Sequence, residues 1–273
     1  KIEEELFNYL LSSNQPDKIL QNFVRIIKSS HFPSIWYEEF ADKKYFNLFL
    51  TLCEYSQYAI DLFAEDKLLR ELFLSKKCIK TTDEDLIKQF KPKELLFTLA
   101  VQFTVKIISS QQVSKILTDY LKFYISSIIN SSKNKRLMEY NYFIAGLGSF
   151  GCEEMTFNSD VDIIIAAKDI SKFSKIEKDF IDLLGLLKKE LYPLQIDSRL
   201  RPEGKSGNLV WDIKSCKNYI EKRAGIWELQ SYSKLHLITG NENLFKQFVN
   251  YSVKRVAKED ASNIKSKMNE MRK

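Results

Sequence analysis

Two aspartates separated by one residue, Asp160 and Asp162, open an apolar run that is typical of a buried strand. Side chains alternate between the two faces of a strand, so we expect both carboxylates to point the same way. Adjacent carboxylates repel each other and lose hydration where a buried strand begins, which favours a cation between them. The pair therefore predicts a site for Mg²⁺, or for Mn²⁺, which accepts the same oxygen ligands.

A glycine-rich turn precedes this pair and follows a strand predicted at 142–145. It holds Gly146, Gly148 and Gly151, with Ser149 among them. Glycines let the backbone come close to a ligand, and successive backbone N–H groups in such turns bind anions. A phosphate-binding turn followed by a metal-binding pair predicts phosphoryl or nucleotidyl chemistry.

A third polar stretch, residues 194–202, alternates as a strand does. One face carries Leu194, Ile196, Ser198 and Leu200, and the other carries Gln195, Asp197, Arg199 and Arg201. Alone, this pattern fits an amphipathic strand with water on one side. Together with the aspartate pair, it predicts Asp197 as a third carboxylate, with Arg199 and Arg201 binding phosphate oxygens or holding the carboxylates. The turn after Pro202 and a strand at 208–211 predict a hairpin.

The elements around these motifs predict an α+β fold. Residues 1–133 read as a helical domain, because apolar residues recur at spacings of three and four. After a polar junction at 131–135, residues 134–212 read as a catalytic core, a small mixed β-sheet with helices on one side. Residues 213–273 read as a helical extension, with helices predicted at 214–223, 227–237, 242–248 and 253–272. His236 falls in the second of these helices and is expected to be structural.

Composition excludes several functional classes. No apolar run approaches the roughly 18 residues of a membrane span. The four cysteines lack zinc-site spacing, which favours a reducing cytoplasm. The net charge is +6, but lysines are interspersed with acids, so we do not expect nucleic acid as a partner. Because the chain begins without Met and stops within a helical pattern, we expect it to be part of a longer protein.

The motifs occur in the order of a known family. Gly-Leu-Gly-Ser-Phe-Gly at 146–151 and Ser-Asp-Val-Asp at 159–162 resemble the signature of the polymerase-beta-like nucleotidyltransferase superfamily. With Asp-Ser-Arg-Leu-Arg-Pro at 197–202, Ile-Trp-Glu-Leu-Gln at 226–230 and Thr-Gly at 239–240, the set resembles glutamine synthetase adenylyltransferase. Modules of that family attach AMP to a tyrosine of glutamine synthetase or remove it by phosphorolysis.

This resemblance implies specific roles. Asp160, Asp162 and Asp197 would be catalytic metal ligands, and the nucleotide would be bound by Gly148, Ser149, Ser159, Arg199 and Arg201. ATP would be the substrate, glutamine synthetase the protein acceptor and a PII-type signalling protein a further partner. The sequence departs from the family where Ser149 replaces the usual Lys and Cys152 the usual Gly.

Two other functions fit the residues. The altered turn and the solitary module suggest a nucleotide-sensing or protein-interaction module without turnover. The basic charge suggests a nucleotidyltransferase that acts on RNA or on a small molecule. Three retained carboxylates favour an enzyme, because a module that only binds has no need of a repulsive acidic cluster.

Overall fold

The computed structural model describes residues 2–30, 33–81, 88–168 and 173–270. The chain forms two compact units, Lys1–Val113 and Ser114–Lys273. Helices dominate both units, and the second also holds a small mixed sheet, which confirms the α+β class. No helix in these ranges is both long enough and apolar enough to cross a bilayer.

The first unit is helical. Its helices are α1 Ile2–Ser12, α2 Pro16–Ser29, α3 Pro33–Glu39, α4 Lys43–Tyr55, α5 Gln57–Glu65, α6 Lys67–Leu74, α7 Lys77–Lys80 and α8 Pro92–Thr104. Their apolar faces meet in an aromatic core that includes Trp36, Phe40, Phe49, Phe63 and Phe73. Trp36 and Phe63 pack edge to face with ring centroids 5.6 Å apart. Burial of each such ring stabilises the fold by about 1.5–3 kcal/mol.

The second unit contains the sheet. Its elements are α9 Ser110–Ile129, a 3₁₀ segment Ser132–Glu139, β1 Asn141–Gly146, α10 Gly148–Gly151, β2 Val161–Lys168, α11 Phe173–Glu190, β3 Ile196–Asp197, a 3₁₀ turn Gly204–Ser206, β4 Val210–Asp212, α12 Ile213–Lys222, α13 Ile226–Tyr232, β5 His236–Gly240, α14 Glu242–Val256 and α15 Ala261–Glu270. The strand order is β3-β2-β1-β5, and β4 also pairs with β2. β1 is antiparallel to β2 and β5, whereas β3 and β4 run parallel to β2.

Helices cover both faces of the sheet, so the prediction of helices on one side is wrong. Neighbouring residues on a strand point to opposite faces. Tyr142 packs against Phe180 of α11, whereas Phe143 packs against Phe248 of α14. Both β1 and the apolar part of β2 are buried, as expected for strands that lie between two helical layers.

Three local predictions are also wrong. β4 pairs with β2 in parallel, so residues 194–211 form no hairpin. The helix predicted at 227–237 ends at Tyr232, and His236 begins β5 opposite Gly146. The helix predicted at 253–272 is split between α14 and α15, and residues 271 and 272 lie outside the described ranges.

The compact units divide inside α9, earlier than the polar stretch at 131–135. Most of α9 belongs to the second unit. Its Ser114 hydroxyl donates to the carbonyl of Met155 at 2.8 Å, and its Ser126 hydroxyl donates to the carbonyl of Ile238 at 3.1 Å. The functional division into 1–133, 134–212 and 213–273 stays a prediction.

Candidate active site

The glycine turn lies directly against the first carboxylate strand. The Leu147 amide donates to the Asp162 carbonyl at 3.0 Å, which ties the turn to β2. Gly148 has a φ of +55°, a conformation that L side chains rarely adopt. A Cβ at Gly148 would lie only 2.7 Å from Oδ2 of Asp162. The structure therefore brings Gly148 and Asp162 into contact.

Two of the three predicted carboxylates are neighbours across adjacent strands. Asp162 of β2 and Asp197 of β3 are partners in the parallel register. Burial and then the negative charges of Asp197 and Asp160 raise the pKa of Asp162 to about 6. The structure therefore places Asp162 beside Asp197, and the charge of Asp160 also acts on Asp162.

The two arginines of the third motif have different surroundings. Arg199 forms an ion pair with Asp197, and its backbone amide donates to the same carboxylate at 2.7 Å. Burial alone would raise the pKa of Asp197, but the hydrogen bonds from Arg199 outweigh it and hold this pKa below its usual value. The Arg201 guanidinium instead donates to the carbonyls of Ser198, at 2.6 Å, and Gly207, at 3.1 Å. These contacts of Arg201 therefore stabilise the loop between Ser198 and Gly207.

The two serines predicted to bind nucleotide also make local contacts. The Ser149 hydroxyl lies 3.6 Å from the sulfur of Met155, beside the glycine turn. The Ser159 hydroxyl accepts from the Thr156 amide at 2.9 Å and shapes the turn before β2. Ser149 thus lies within the glycine turn, whereas Ser159 stabilises the turn that precedes Asp160.

An ion pair between Lys122 of α9 and Glu153 fixes the chain just after the glycine turn. Lys122 Nζ lies 2.7 Å from Oε1 of Glu153, a residue with a φ of +62°. The hydrogen bond from Lys122 lowers the pKa of Glu153. His236 Nδ1 lies 3.8 Å from the same carboxylate oxygen, and partial burial, followed by the charge of Lys122, lowers the pKa of His236. His236 therefore borders the glycine turn from β5.

A glutamate of α11 fixes the loop that follows Asp197. Its carboxylate, on Glu177, accepts from the backbone amides of Leu209 at 2.6 Å and Val210 at 2.9 Å. These amides stand where β4 begins, so Glu177 and Arg201 hold the two sides of one loop. Sequence patterns do not indicate Glu177 or Lys122, because their partners lie far away in the chain and neither residue is in a motif.

The donor chemistry of the aspartates fits a hard divalent cation. All their donor atoms are oxygens, which a hard divalent cation prefers. Burial and then the charges of Asp197 and Asp160 raise the pKa of Asp162, so a bound cation would favour its ionised form. As they stand, no three His, Cys, Asp or Glu side chains among the described residues are grouped to hold a cation. In this structure the Asp197 carboxylate is instead paired with Arg199.

A glycine turn against carboxylates on two adjacent strands agrees with the motif order of the nucleotidyltransferases. A family comparison gives the narrower assignment. The family model of glutamate-ammonia ligase adenylyltransferase (GlnE) matches residues 64–251, and the chain belongs to this family. The match begins within the first helical unit and includes every predicted site residue.

Curated proteins give the same result. The chain is 32% identical over 106 residues to the bifunctional glutamine synthetase adenylyltransferase/adenylyl-removing enzyme of Corynebacterium glutamicum. This match covers 39% of the chain and 10% of that protein. It is 32% identical over 126 residues to the Bifidobacterium longum subsp. infantis enzyme of the same name, covering 41% and 12%. The Acinetobacter baylyi enzyme of that name is 23% identical over 210 residues, covering 66% and 23%. The chain thus spans 10% to 23% of the length of these relatives.

Proposed function

We propose that this chain is a nucleotidyltransferase module that transfers AMP from ATP to a tyrosine hydroxyl of glutamine synthetase, or removes it by phosphorolysis. The observation that carries the proposal is the contact of Gly148 with Asp162, next to Asp197 in register. The family membership and the names of the relatives support both the reaction and the acceptor. A cytoplasmic location and a PII-type partner stay predictions.

The reaction exchanges one bond at phosphorus for another. In transfer, the tyrosine oxygen bonds to the α-phosphorus of ATP, the bond to the pyrophosphate oxygen breaks, and the hydroxyl proton passes to water. In removal, an oxygen of inorganic phosphate bonds to that phosphorus, and the tyrosine oxygen leaves with a proton, giving ADP. Charge develops on the phosphoryl oxygens in both directions, so fixed positive charge and positioning provide the catalysis.

The chain's own residues divide this work. Gly148 has no Cβ, so its backbone lies directly against Asp162. Gly148 and Ser149 would bind the nucleotide phosphates beside that carboxylate. Asp160, Asp162 and Asp197 would hold Mg²⁺ or Mn²⁺. When bound, such an ion neutralises phosphate oxygens and promotes ionisation of the hydroxyl. Arg199 would balance the charge of Asp197 and reach phosphate oxygens, whereas Arg201 keeps the Asp197 loop in shape.

Label transfer tests the function. The chain is incubated with α-labelled ATP, Mg²⁺ and glutamine synthetase from the same source, with α-labelled UTP as the control nucleotide. We expect label from ATP on the synthetase, and none with the Asp160→Asn variant. If pre-adenylylated synthetase instead loses AMP as ADP when phosphate is added, the chain is the removing module. Absence of both reactions would contradict the proposal and favour a module that binds without turnover.

A further inference from the structure

A positively charged cleft opens on the Asp197 side of the carboxylates. It has a volume of about 400 Å³ and lies beside β3. Asp160 and Asp197 line it together with four cationic side chains, namely Lys188, Arg199, Arg201 and Lys205. Among the residues described, its lining does not include the glycine turn or Asp162. The cleft is therefore bordered by two of the aspartates and by residues other than those of the glycine turn.

Two of the four cations are available to a ligand. Arg199 is paired with Asp197, and Arg201 is occupied by backbone carbonyls of its own loop. Lys188, in the last turn of α11, and Lys205, in the 3₁₀ turn, are both exposed. Neither lysine makes an ion pair within the part of the chain that the structure describes. They come from separate elements and border the same cleft, so together they favour an anionic ligand.

The geometry of the proposed reaction indicates which substrate uses this cleft. In phosphoryl transfer the attacking and leaving oxygens are roughly in line on opposite sides of phosphorus. If the polyphosphate of ATP lies on the glycine turn, the attacking hydroxyl must approach the α-phosphorus from the side that faces away from the pyrophosphate. The cleft with Lys188 and Lys205 borders Asp160 and Asp197 and includes no described residue of the glycine turn, so it suits the acceptor. This step rests on the proposed function.

We propose that Lys188 and Lys205 bind acidic side chains that flank the target hydroxyl in the acceptor protein. A positive cleft next to a catalytic centre selects a partner segment of opposite charge and repels basic segments. The other two cations of the cleft, Arg199 and Arg201, are bound within the protein, so the two lysines determine the charge preference. The partner is therefore a tyrosine-bearing segment rich in Asp or Glu.

Direct binding of two synthetic peptides tests this preference. Both are of equal length with one central tyrosine, which is flanked by four Glu in one peptide and by four Gln in the other. We expect the Glu peptide to bind more tightly, and the Lys188→Met/Lys205→Met double variant to weaken that binding by on the order of fivefold. Lys189→Met, which removes the next lysine of α11, should leave it unchanged. Equal binding of the two peptides, or an unaffected double variant, would overturn the proposal.

Transfer kinetics provide a second readout. With glutamine synthetase as acceptor, the double variant should raise the KM for the acceptor by on the order of fivefold and leave the KM for ATP unchanged. A rise in the KM for ATP alone would assign the lysines to the nucleotide phosphates and overturn the proposal. If the wild-type chain transfers no AMP, the proposed function fails, and the peptide measurement still decides the charge preference.

Discussion

At Gly148, conformation and space both require glycine. The positive φ strains any L side chain, and a Cβ would meet the carboxylate of Asp162. We expect Gly148→Ala to lower the kcat/KM of AMP transfer by on the order of 100-fold, because it shifts the turn against the catalytic strand. It should also cost about 1 kcal/mol or more of folding free energy.

Gly185 is the matched control. It lies within α11, and an added Cβ there meets no atom within 4 Å. Gly185→Ala should therefore raise the free energy of unfolding by about 0.5–1 kcal/mol and leave transfer unchanged. Urea unfolding and transfer assays of both variants check this contrast. Equal effects of the two substitutions on activity would contradict the role of Gly148.

The raised pKa of Asp162 makes stability depend on pH in the metal-free protein. Its pKa is about 6 in the folded chain, against about 4 for an unfolded aspartate. Ionised Asp162 therefore destabilises the fold fully above about pH 6, and this penalty disappears as the pH falls towards 4. We expect Asp162→Asn to raise the melting temperature at pH 7.5, with the gain lost near pH 4.

Thermal melts in the presence of a chelator measure this difference. Asp182→Asn, at an exposed position of α11, serves as the control for removing one carboxylate. A melting temperature for Asp162→Asn that is equal to or below wild type at pH 7.5 would contradict the electrostatic description of the site.

At the scale of elements, α9 supports the glycine turn through the Lys122–Glu153 ion pair. We expect Lys122→Met to raise the KM for ATP by on the order of fivefold, since partly exposed ion pairs contribute up to about 1 kcal/mol. The reversed pair, Lys122→Glu with Glu153→Lys, should restore part of the affinity. Steady-state kinetics check both variants.

Lys115→Met is the control on the same helix. It removes the exposed Lys115–Asp119 pair, whose atoms are also 2.7 Å apart. A similar rise in the KM for ATP in this variant would mean that the effect belongs to the helix as a whole. No rise for Lys122→Met would remove the ion pair from nucleotide binding.

Local patterns predicted the elements that depend on local physics. The spacing of apolar residues in α2 and α8, and the apolar strands β1 and β2 on either side of the glycine turn, indicate the observed elements. Residue type and spacing alone predict a metal site at the aspartate pair, because two adjacent carboxylates repel each other. These features require no knowledge of distant contacts.

The predictions that are wrong concern elements whose structure depends on contacts between residues far apart in the chain. The amides of Leu209 and Val210 bind Glu177, and Val210 aligns with Ile165 of β2, so no hairpin forms. His236 pairs with Gly146 although its neighbours fit a helical pattern. Alternation also does not indicate the contacts of Arg201 with the carbonyls of Ser198 and Gly207, because only the folded loop brings these atoms together.

At the scale of the whole molecule, the chain spans 10% to 23% of the length of the relatives described above. The family match runs from the first unit into the second. The proposed function assigns the chemistry of this chain to Asp160, Asp162 and Asp197 of the second unit. It requires that a change at one carboxylate remove turnover without removing the fold.

The most direct test is the kcat of Asp162→Asn for the AMP exchange that the wild-type chain catalyses, measured with saturating ATP and acceptor. Circular dichroism and a thermal melt on the same preparations report the fold. We predict a fall in kcat of on the order of 10³-fold or more, with the fold retained. A kcat within about tenfold of wild type would show that the aspartate cluster is not the catalytic site.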